Sequence, residues 1–163
     1  MRLQEIITRD LVLYDLKVKD NTEAIQRLVQ LLVKKGKIPL QREQDALLAL
    51  FKREALSSTG LEQAGLAIPH ARVDFVQSIV GALAVAPEGV DFRADGPSYV
   101  IFLFLSPQHR PSLHLECMSL ISALARNQSF LLSIQRSRSS EEVFQQIVAA
   151  EDLLYPQWNE PKV

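Results

Sequence analysis

The chain has 163 residues, of which 47% are hydrophobic and 23% are charged, and its formal net charge is −1. These values are typical of one soluble globular domain with a core of ordinary size. The chain has no basic tract and no apolar run near the roughly 20 residues that cross a bilayer, so we expect neither nucleic-acid binding nor membrane insertion. Its first residues lack the apolar core of a signal peptide, which favours a cytoplasmic location. One cysteine allows no disulfide within the chain and no cysteine-rich zinc site.

The N-terminal half of the chain is predicted to contain a strand, two helices and a second, short strand. Residues 11–18 are rich in apolar side chains and indicate the first strand. A helix follows, because Asp20 can cap its start, apolar side chains recur on one face, and Gly36 marks its end. The second helix is predicted over residues 41–56, and the short strand over 66–68.

The C-terminal half is predicted to contain two strands followed by helices. The strands cover residues 79–85 and 99–105, and the second is continuously apolar, which predicts a central strand covered on both faces. The helices are predicted over residues 112–126, 128–135 and 140–153. Together these elements indicate a single α/β domain over residues 1–154, borderline with α+β, in which helices cover a mixed β-sheet. The segment 155–163 contains two prolines and is predicted to be an extended tail.

His70 is the first candidate functional residue, because it directly follows Pro69 at the end of a predicted strand. Proline has no N–H group and interrupts strand pairing, so the histidine is expected at a sheet edge or in a loop. The hydroxyl and arginine side chains close to it in sequence are Arg53, Ser57, Ser58, Thr59 and Arg72. Such donors suit a phosphoryl group better than a metal ion. The alternative is an ordinary surface or core histidine.

His114 is the second candidate, in the first turn of the helix predicted over residues 112–126, with Ser112 as its cap. Free N–H groups at a helix start favour an anion and disfavour a protonated imidazole. A neutral His114 could therefore donate a hydrogen bond to a phosphoryl oxygen. The alternative is a core-edge histidine bound to a backbone carbonyl. His109 is expected to be exposed in a polar loop, and Cys117 to be a buried thiol.

Two motifs lie close together in the chain, Ser-Ser-Thr-Gly at 57–60 and Ala-Ile-Pro-His at 67–70. Further segments are Gly-Val-Asp-Phe at 89–92, the predicted strand that leads to Pro107, and His-Leu at 114–115. In this combination they resemble the mannitol/fructose type of enzyme IIA domain of the bacterial phosphotransferase system, including its nitrogen-regulatory branch. The resemblance covers about residues 3–150. The regulatory branch is favoured because no transporter domain is attached.

The resemblance implies a role for each matching residue. His70 would accept a phosphoryl group from a donor protein such as phospho-HPr, and His114 would stabilise that group. The residues implied to lie around the phosphoryl oxygens are Arg53, Ser58 and Thr59. Neither a metal nor a cofactor is implied. In a regulator, the phosphorylation state of His70 would decide which proteins bind. In a sugar-transport enzyme IIA, the group would pass to a cysteine of an enzyme IIB.

Partner docking near His70 requires an exposed apolar rim, for which Leu66, Phe75 and Val76 are the candidates, although a core position is favoured for Leu66. Arg72 could contact either the phosphoryl group or a partner. The segment 61–65 is one residue longer than the glycine-rich stretch of the family and has lost a glycine, so the backbone near His70 is expected to differ.

Two other functions are compatible with the motifs. A metal-dependent hydrolase would use His70, His109 and His114 as ligands, although the chain has no His-Glu-x-x-His motif and no cysteine pair. An interaction module could share the fold without using His70.

Overall fold

The computed structural model describes residues 1–61 and 65–159 of the chain. Within these residues the helices are α1 (Leu3–Ile6), α2 (Asn21–Lys34), α3 (Glu43–Leu56), α4 (Pro111–Ala125), α5 (Gln128–Arg136) and α6 (Ser140–Leu154). The strands are β1 (Val12–Leu13), β2 (Gly60–Leu61), β3 (Leu66–Ala67), β4 (His70–Val73), β5 (Val80–Val90) and β6 (Ser98–Pro107). Short 3-10 helices cover Arg9–Leu11, Leu40–Arg42 and Pro156–Asn159.

The strands form one mixed sheet, with the two long strands β5 and β6 at its centre. The strand order is β1-β5-β6-β3-β2, and β4 also pairs with β6. β5 and β6 are antiparallel, β1 is parallel to β5, and both β3 and β4 are parallel to β6. The prediction of a single α/β domain with a mixed sheet is confirmed.

Helices cover both faces of this sheet, because side chains of β6 alternate between two hydrophobic cores. Its odd-numbered residues from 101 to 105 pack on one face with α2 and α3. Its even-numbered residues from 100 to 104 pack on the other face with α4, α5 and α6. Both sets are almost completely buried. The continuous apolar sequence therefore reflects a central strand covered on both faces, as predicted.

Helix ends mostly follow the sequence signals. The side chain of Asp20 caps α2, and Gly36 follows that helix with a φ of +68°, where glycine is favoured. The predicted cap of α4 is wrong. That helix begins with Pro111, so Ser112 lies inside the first turn and does not precede it. The fixed φ and missing N–H group of proline suit the first helical position.

Two predicted extended segments are shorter than expected. Strand pairing over 11–18 is limited to Val12–Leu13, because Asp15 has a φ of 59° and turns the chain away from the strand direction. The predicted extended tail is wrong over Pro156–Asn159, which form a 3-10 helix that a proline can start. Residues 160–163 lie outside the described residues.

Cys117 lies in α4, and its thiol is fully buried. Burial raises its pKa to about 12, so the thiol stays protonated at neutral pH. The prediction of a buried core thiol is confirmed. In the described part of the chain, the helices are all too short or too polar to cross a membrane.

Candidate functional site

His70 is the first residue of β4, directly after the point where Pro69 interrupts the edge of the sheet. The strand before it, β3, pairs with Val100 and Ile101 of β6, and β4 continues along the same strand from Phe104 onwards. Between them the carbonyl of Pro69 accepts a hydrogen bond from Phe104 N at 3.0 Å. The prediction of a break at Pro69 is correct. Of the two predicted positions, a sheet edge and a loop, the structure shows the sheet edge, because this carbonyl keeps the chain beside β6.

The rings of His70 and His114 meet on the face of the sheet that α4 covers. In β4, Ala71 enters the core beneath α2 and α3, so the alternation of side chains sends His70 to the opposite face. The His70 ring stacks on Phe104, with ring centroids 5.4 Å apart. The His114 ring lies 5.3 Å from the His70 ring and 5.4 Å from the Phe104 ring. The two histidines that the resemblance assigns to one phosphoryl group are therefore neighbours in the structure.

The main chain fixes the ring of His70. Its Nδ1 lies 2.7 Å from the carbonyl oxygen of Ile68. A carbonyl oxygen can only accept, so Nδ1–H is the donor and a neutral ring keeps its lone pair on Nε2. Burial lowers the pKa of His70 below its usual value, although the bond to Ile68 acts in the opposite direction. His70 is therefore a neutral imidazole at neutral pH with Nε2 as its basic nitrogen.

His114 lies in the first turn of α4, and its Nδ1 is 2.7 Å from the hydroxyl oxygen of Ser106. Burial lowers the pKa of His114 to about 4, with smaller contributions from His70, Arg72 and Arg53. His114 is thus also neutral at neutral pH. Sequence reasoning missed Ser106 as a site residue. The available signal was a polar side chain at the end of an apolar strand, eight positions before a candidate histidine.

An open cleft of about 480 Å³ lies beside the two histidines. Helix α3 contributes Lys52, Arg53 and Leu56 to its lining, and β4 contributes Arg72. Nη1 of Arg53 donates to the carbonyl and hydroxyl oxygens of Ser57, each at 3.2 Å, and this uses only one of the three guanidinium nitrogens. The structure therefore brings together His70, His114, Arg53 and Arg72. Lys52, which the sequence reasoning missed, adds a third cationic side chain that suits an anionic ligand.

The structure does not bring Ser58 and Thr59 into this cleft. The hydroxyl of Ser58 donates to the carbonyl of Phe92. Thr59 donates from Oγ1 and from its backbone N to the carboxylate of Glu54, at 2.6 Å and 3.0 Å. The carbonyl of Thr59 also accepts from Ile68 N at 3.0 Å. These contacts connect the end of α3 to the strand before His70, so the geometry gives Ser58 and Thr59 a structural role and lends no support to phosphoryl binding.

The apolar surface beside the cleft differs from the predicted rim. Val76 is buried and Phe75 packs against the core, so the prediction that these two residues form a rim is wrong. Leu66 is buried, which agrees with the core position favoured for it. An exposed apolar side chain that does line the cleft is Leu56, which is the last residue of α3 and is 78% exposed.

His109 is exposed in the turn after β6, as predicted, and does not line the cleft. Within residues 1–61 and 65–159, no three side chains of histidine, cysteine, aspartate or glutamate are grouped so that they could hold a metal ion. The three histidines are thus not assembled into a ligand set. The predicted change of backbone over 61–65 falls mainly on residues 62–64, which lie outside the described residues.

Comparisons with known proteins show which proteins this chain resembles. Residues 5–150 match the family described as the phosphoenolpyruvate-dependent sugar phosphotransferase system, EIIA 2. The chain is 28% identical to a nitrogen regulatory protein of Bradyrhizobium diazoefficiens over 146 residues, which are 88% of this chain and 93% of that protein. It is 32% identical to the fructose-specific EIIA component of Haloferax volcanii over 131 residues, which are 77% of this chain and 82% of that protein.

A solved structure has the same fold over nearly the same residues. The crystal structure of the nitrogen regulatory protein IIA-Ntr from Neisseria meningitidis matches with a TM-score of 0.79 and 31% sequence identity. The match covers 89% of this chain and 98% of that one. The resemblance drawn from the sequence motifs is confirmed: the chain belongs to the EIIA 2 family of the phosphoenolpyruvate-dependent sugar phosphotransferase system.

Proposed function

We propose that the protein is a phosphoryl carrier that accepts its phosphoryl group on Nε2 of His70 from a donor protein such as phospho-HPr. The observation that carries this proposal is the hydrogen bond from His70 Nδ1–H to the carbonyl of Ile68. That bond leaves Nε2 as the nucleophilic nitrogen of a neutral ring that lines the cleft. Membership of the EIIA 2 family supports the same chemistry.

The proposed reaction is an in-line phosphoryl transfer. The lone pair of His70 Nε2 forms a bond to phosphorus, and the phosphorus–nitrogen bond of the donor histidine breaks, returning its electron pair to the donor. Negative charge on the equatorial oxygens is stabilised by Arg53 and Arg72, and by a hydrogen bond from His114. Since both histidines are neutral at neutral pH, neither must lose a proton before transfer.

The phosphorylated protein then acts as a regulator whose charge state decides which partner proteins bind. Similarity along most of the chain to a nitrogen regulatory protein and to IIA-Ntr supports this role. A second candidate is a sugar-transport enzyme IIA that passes the group to a cysteine of an enzyme IIB, because the chain is also similar to a fructose-specific EIIA component. Both roles fit the predicted cytoplasmic location.

Phosphorylation in a reconstituted system tests the proposal. Wild type, His70→Ala and His109→Ala are incubated with enzyme I, HPr and labelled phosphoenolpyruvate. We expect one acid-labile phosphate per chain in wild type and in His109→Ala, and none in folded His70→Ala. Stoichiometric label on His70→Ala would falsify the assignment. Chasing the labelled protein with a fructose- or mannitol-type enzyme IIB then separates the two roles, since rapid transfer to the IIB cysteine favours transport.

A further inference from the structure

Ser106 and His114 form a buried pair of side chains beneath the cleft. Ser106 is the penultimate residue of β6, is 0% exposed, and lies opposite Arg72 in the pairing with β4. Its Oγ is 2.7 Å from Nδ1 of His114. Because this contact occupies Nδ1, Nε2 is the nitrogen that His114 has available in the cleft that it lines.

The direction of this hydrogen bond decides what His114 can do. The single hydroxyl hydrogen has two nearby acceptors, His114 Nδ1 at 2.7 Å and the carbonyl of Ala71 at 3.5 Å. Only the shorter distance is typical of a strong bond from a hydroxyl donor. If the hydroxyl donates to Nδ1, the neutral imidazole carries its hydrogen on Nε2. If Nδ1–H donates instead, Nε2 presents a lone pair, which repels phosphoryl oxygens.

We propose that Ser106 is a positioning residue that donates its hydroxyl hydrogen to His114 Nδ1 and so fixes the tautomer with hydrogen on Nε2. In that tautomer His114 donates a hydrogen bond to the phosphoryl group on His70. The inference rests on the proposed role of His70 as acceptor. Ser106 itself does not line the cleft and acts only through His114.

The two histidines differ in what fixes their tautomers. The main-chain carbonyl of Ile68 holds His70, and no side-chain substitution removes that acceptor. A single hydroxyl holds His114, and burial, with smaller contributions from His70 and two arginines, disfavours its protonation by lowering its pKa. The neutral tautomer of His114 therefore decides whether its Nε2 can donate a hydrogen bond. That tautomer depends on the side chain of Ser106, which can be substituted.

Imidazole nitrogen NMR tests the tautomer directly in the unphosphorylated protein. We expect His114 of wild type to show an unprotonated, hydrogen-bonded Nδ1 and a protonated Nε2 at about pH 7.5. In Ser106→Ala the His114 signals should move toward a mixture of tautomers, while His70 keeps hydrogen on Nδ1. A wild-type His114 with hydrogen on Nδ1 overturns the proposal.

Transfer kinetics supply the functional readout. Loss of one neutral hydrogen bond should slow phosphoryl uptake by Ser106→Ala about tenfold. Ser98→Ala is the matched control, because Ser98 is a 2% exposed serine on the same strand, and it should react at the wild-type rate. Ser106→Thr restores the hydroxyl and should recover most of the rate if it folds.

A wild-type rate in Ser106→Ala, or a slow rate with the tautomer unchanged, contradicts the proposal. If His70 is not the acceptor, His70→Ala still takes up the labelled phosphate. The NMR result on the His114 tautomer does not depend on that outcome, because it is obtained with the unphosphorylated protein.

Discussion

The rings of His70 and His114 lie 5.3 Å apart, and each has its Nδ1 atom occupied by a different kind of partner. His70 donates to a main-chain carbonyl, whereas His114 contacts a serine hydroxyl. Nε2 is therefore the available nitrogen of both rings in the cleft that both line. Under the proposed function, one ring acts as a nucleophile and the other as a hydrogen-bond donor, although the residue type is the same.

The first prediction concerns the atom that is phosphorylated. Because Nδ1 of His70 carries hydrogen and binds Ile68, we expect the phosphoryl group on Nε2. Phosphorus–nitrogen couplings in protein labelled with ¹⁵N at histidine distinguish the two isomers. Phosphate attached to Nδ1 would show that the bond to Ile68 breaks during transfer.

The second prediction concerns His114. Truncation in His114→Ala should cost about 1–3 kcal/mol of folding free energy, as expected for a buried polar contact, and leave the protein folded. Loss of a charge-stabilising donor should slow transfer to and from His70 by about 10²-fold. Rapid-quench kinetics in both directions measure the effect, with the exposed His109→Ala as control. Wild-type rates for His114→Ala would remove it from the mechanism.

The third prediction is a dependence of stability on pH. The pKa of His70 is lowered and that of His114 is lowered to about 4, against 6.5 for an unperturbed histidine. Between these values the unfolded chain binds more protons than the folded one. The contribution of the two neutral histidines to the free energy of unfolding is therefore fully present above about pH 6.5. It falls as the pH drops toward 4, with a slope of at most about 1.4 kcal/mol per pH unit for each histidine.

Urea denaturation at about pH 4.5 and about pH 7.5 measures this loss. Carboxylates also lose stabilising contacts in acid, so the informative quantity is the difference between variants. His114→Gln should lose less stability on acidification than wild type, whereas the exposed His109→Gln should behave like wild type. Equal losses in all three proteins would contradict a buried neutral His114.

The fourth prediction concerns partner docking. Leu56 is 78% exposed and lines the cleft, so Leu56→Glu should weaken binding of the donor protein about tenfold, a typical cost for losing one anchoring side chain. Leu153→Glu is the matched control, because Leu153 is 80% exposed on α6 and does not line the cleft. Both variants should keep the wild-type free energy of unfolding within about 0.5 kcal/mol. Equal affinities for the donor in calorimetry would exclude Leu56 from the docking surface.

The fifth prediction is that phosphorylation acts through local charge. A phosphoryl group adds up to about two negative charges, and His70 is held beside β6 by strand pairing. Amide NMR shifts should therefore change around His70, Arg53, Phe104 and His114 only. Widespread changes across α2 and α6 would indicate a conformational switch instead.

Sequence patterns predicted the long elements well, because each had enough residues to show a recognisable hydrophobic pattern. The apolar run of β6 and the one-sided pattern of α2 are examples. The short strand predicted over 66–68 corresponds to β3, whereas β2 has only two residues and cannot show a period. The sequence does not predict β4, because a proline such as Pro69 usually ends strand pairing. β3 and β4 are stabilised by pairing with β6, and β2 by pairing with β3, and not by their own propensities.

The site was predicted in part. His70, His114, Arg53 and Arg72 were identified correctly as neighbours, whereas Ser106 was missed because its contact with His114 forms only when α4 packs on β6. Ser58 and Thr59 were placed in the site by motif alone. Their hydroxyls instead satisfy nearby acceptors in the folded chain, which a motif match does not reveal.

The break at Pro69 sets which changes in chain length this fold can tolerate during evolution. Ala67 and His70 are each paired with β6, so adding or deleting one residue between them would shift β4 by one position and carry Ala71 to the face where His70 now lies. Changes in length between Leu61 and Leu66 fall before the first of these pairs and leave both in place. The number of residues between Leu61 and Leu66 can therefore change across a lineage, while the spacing from Ala67 to the histidine stays fixed.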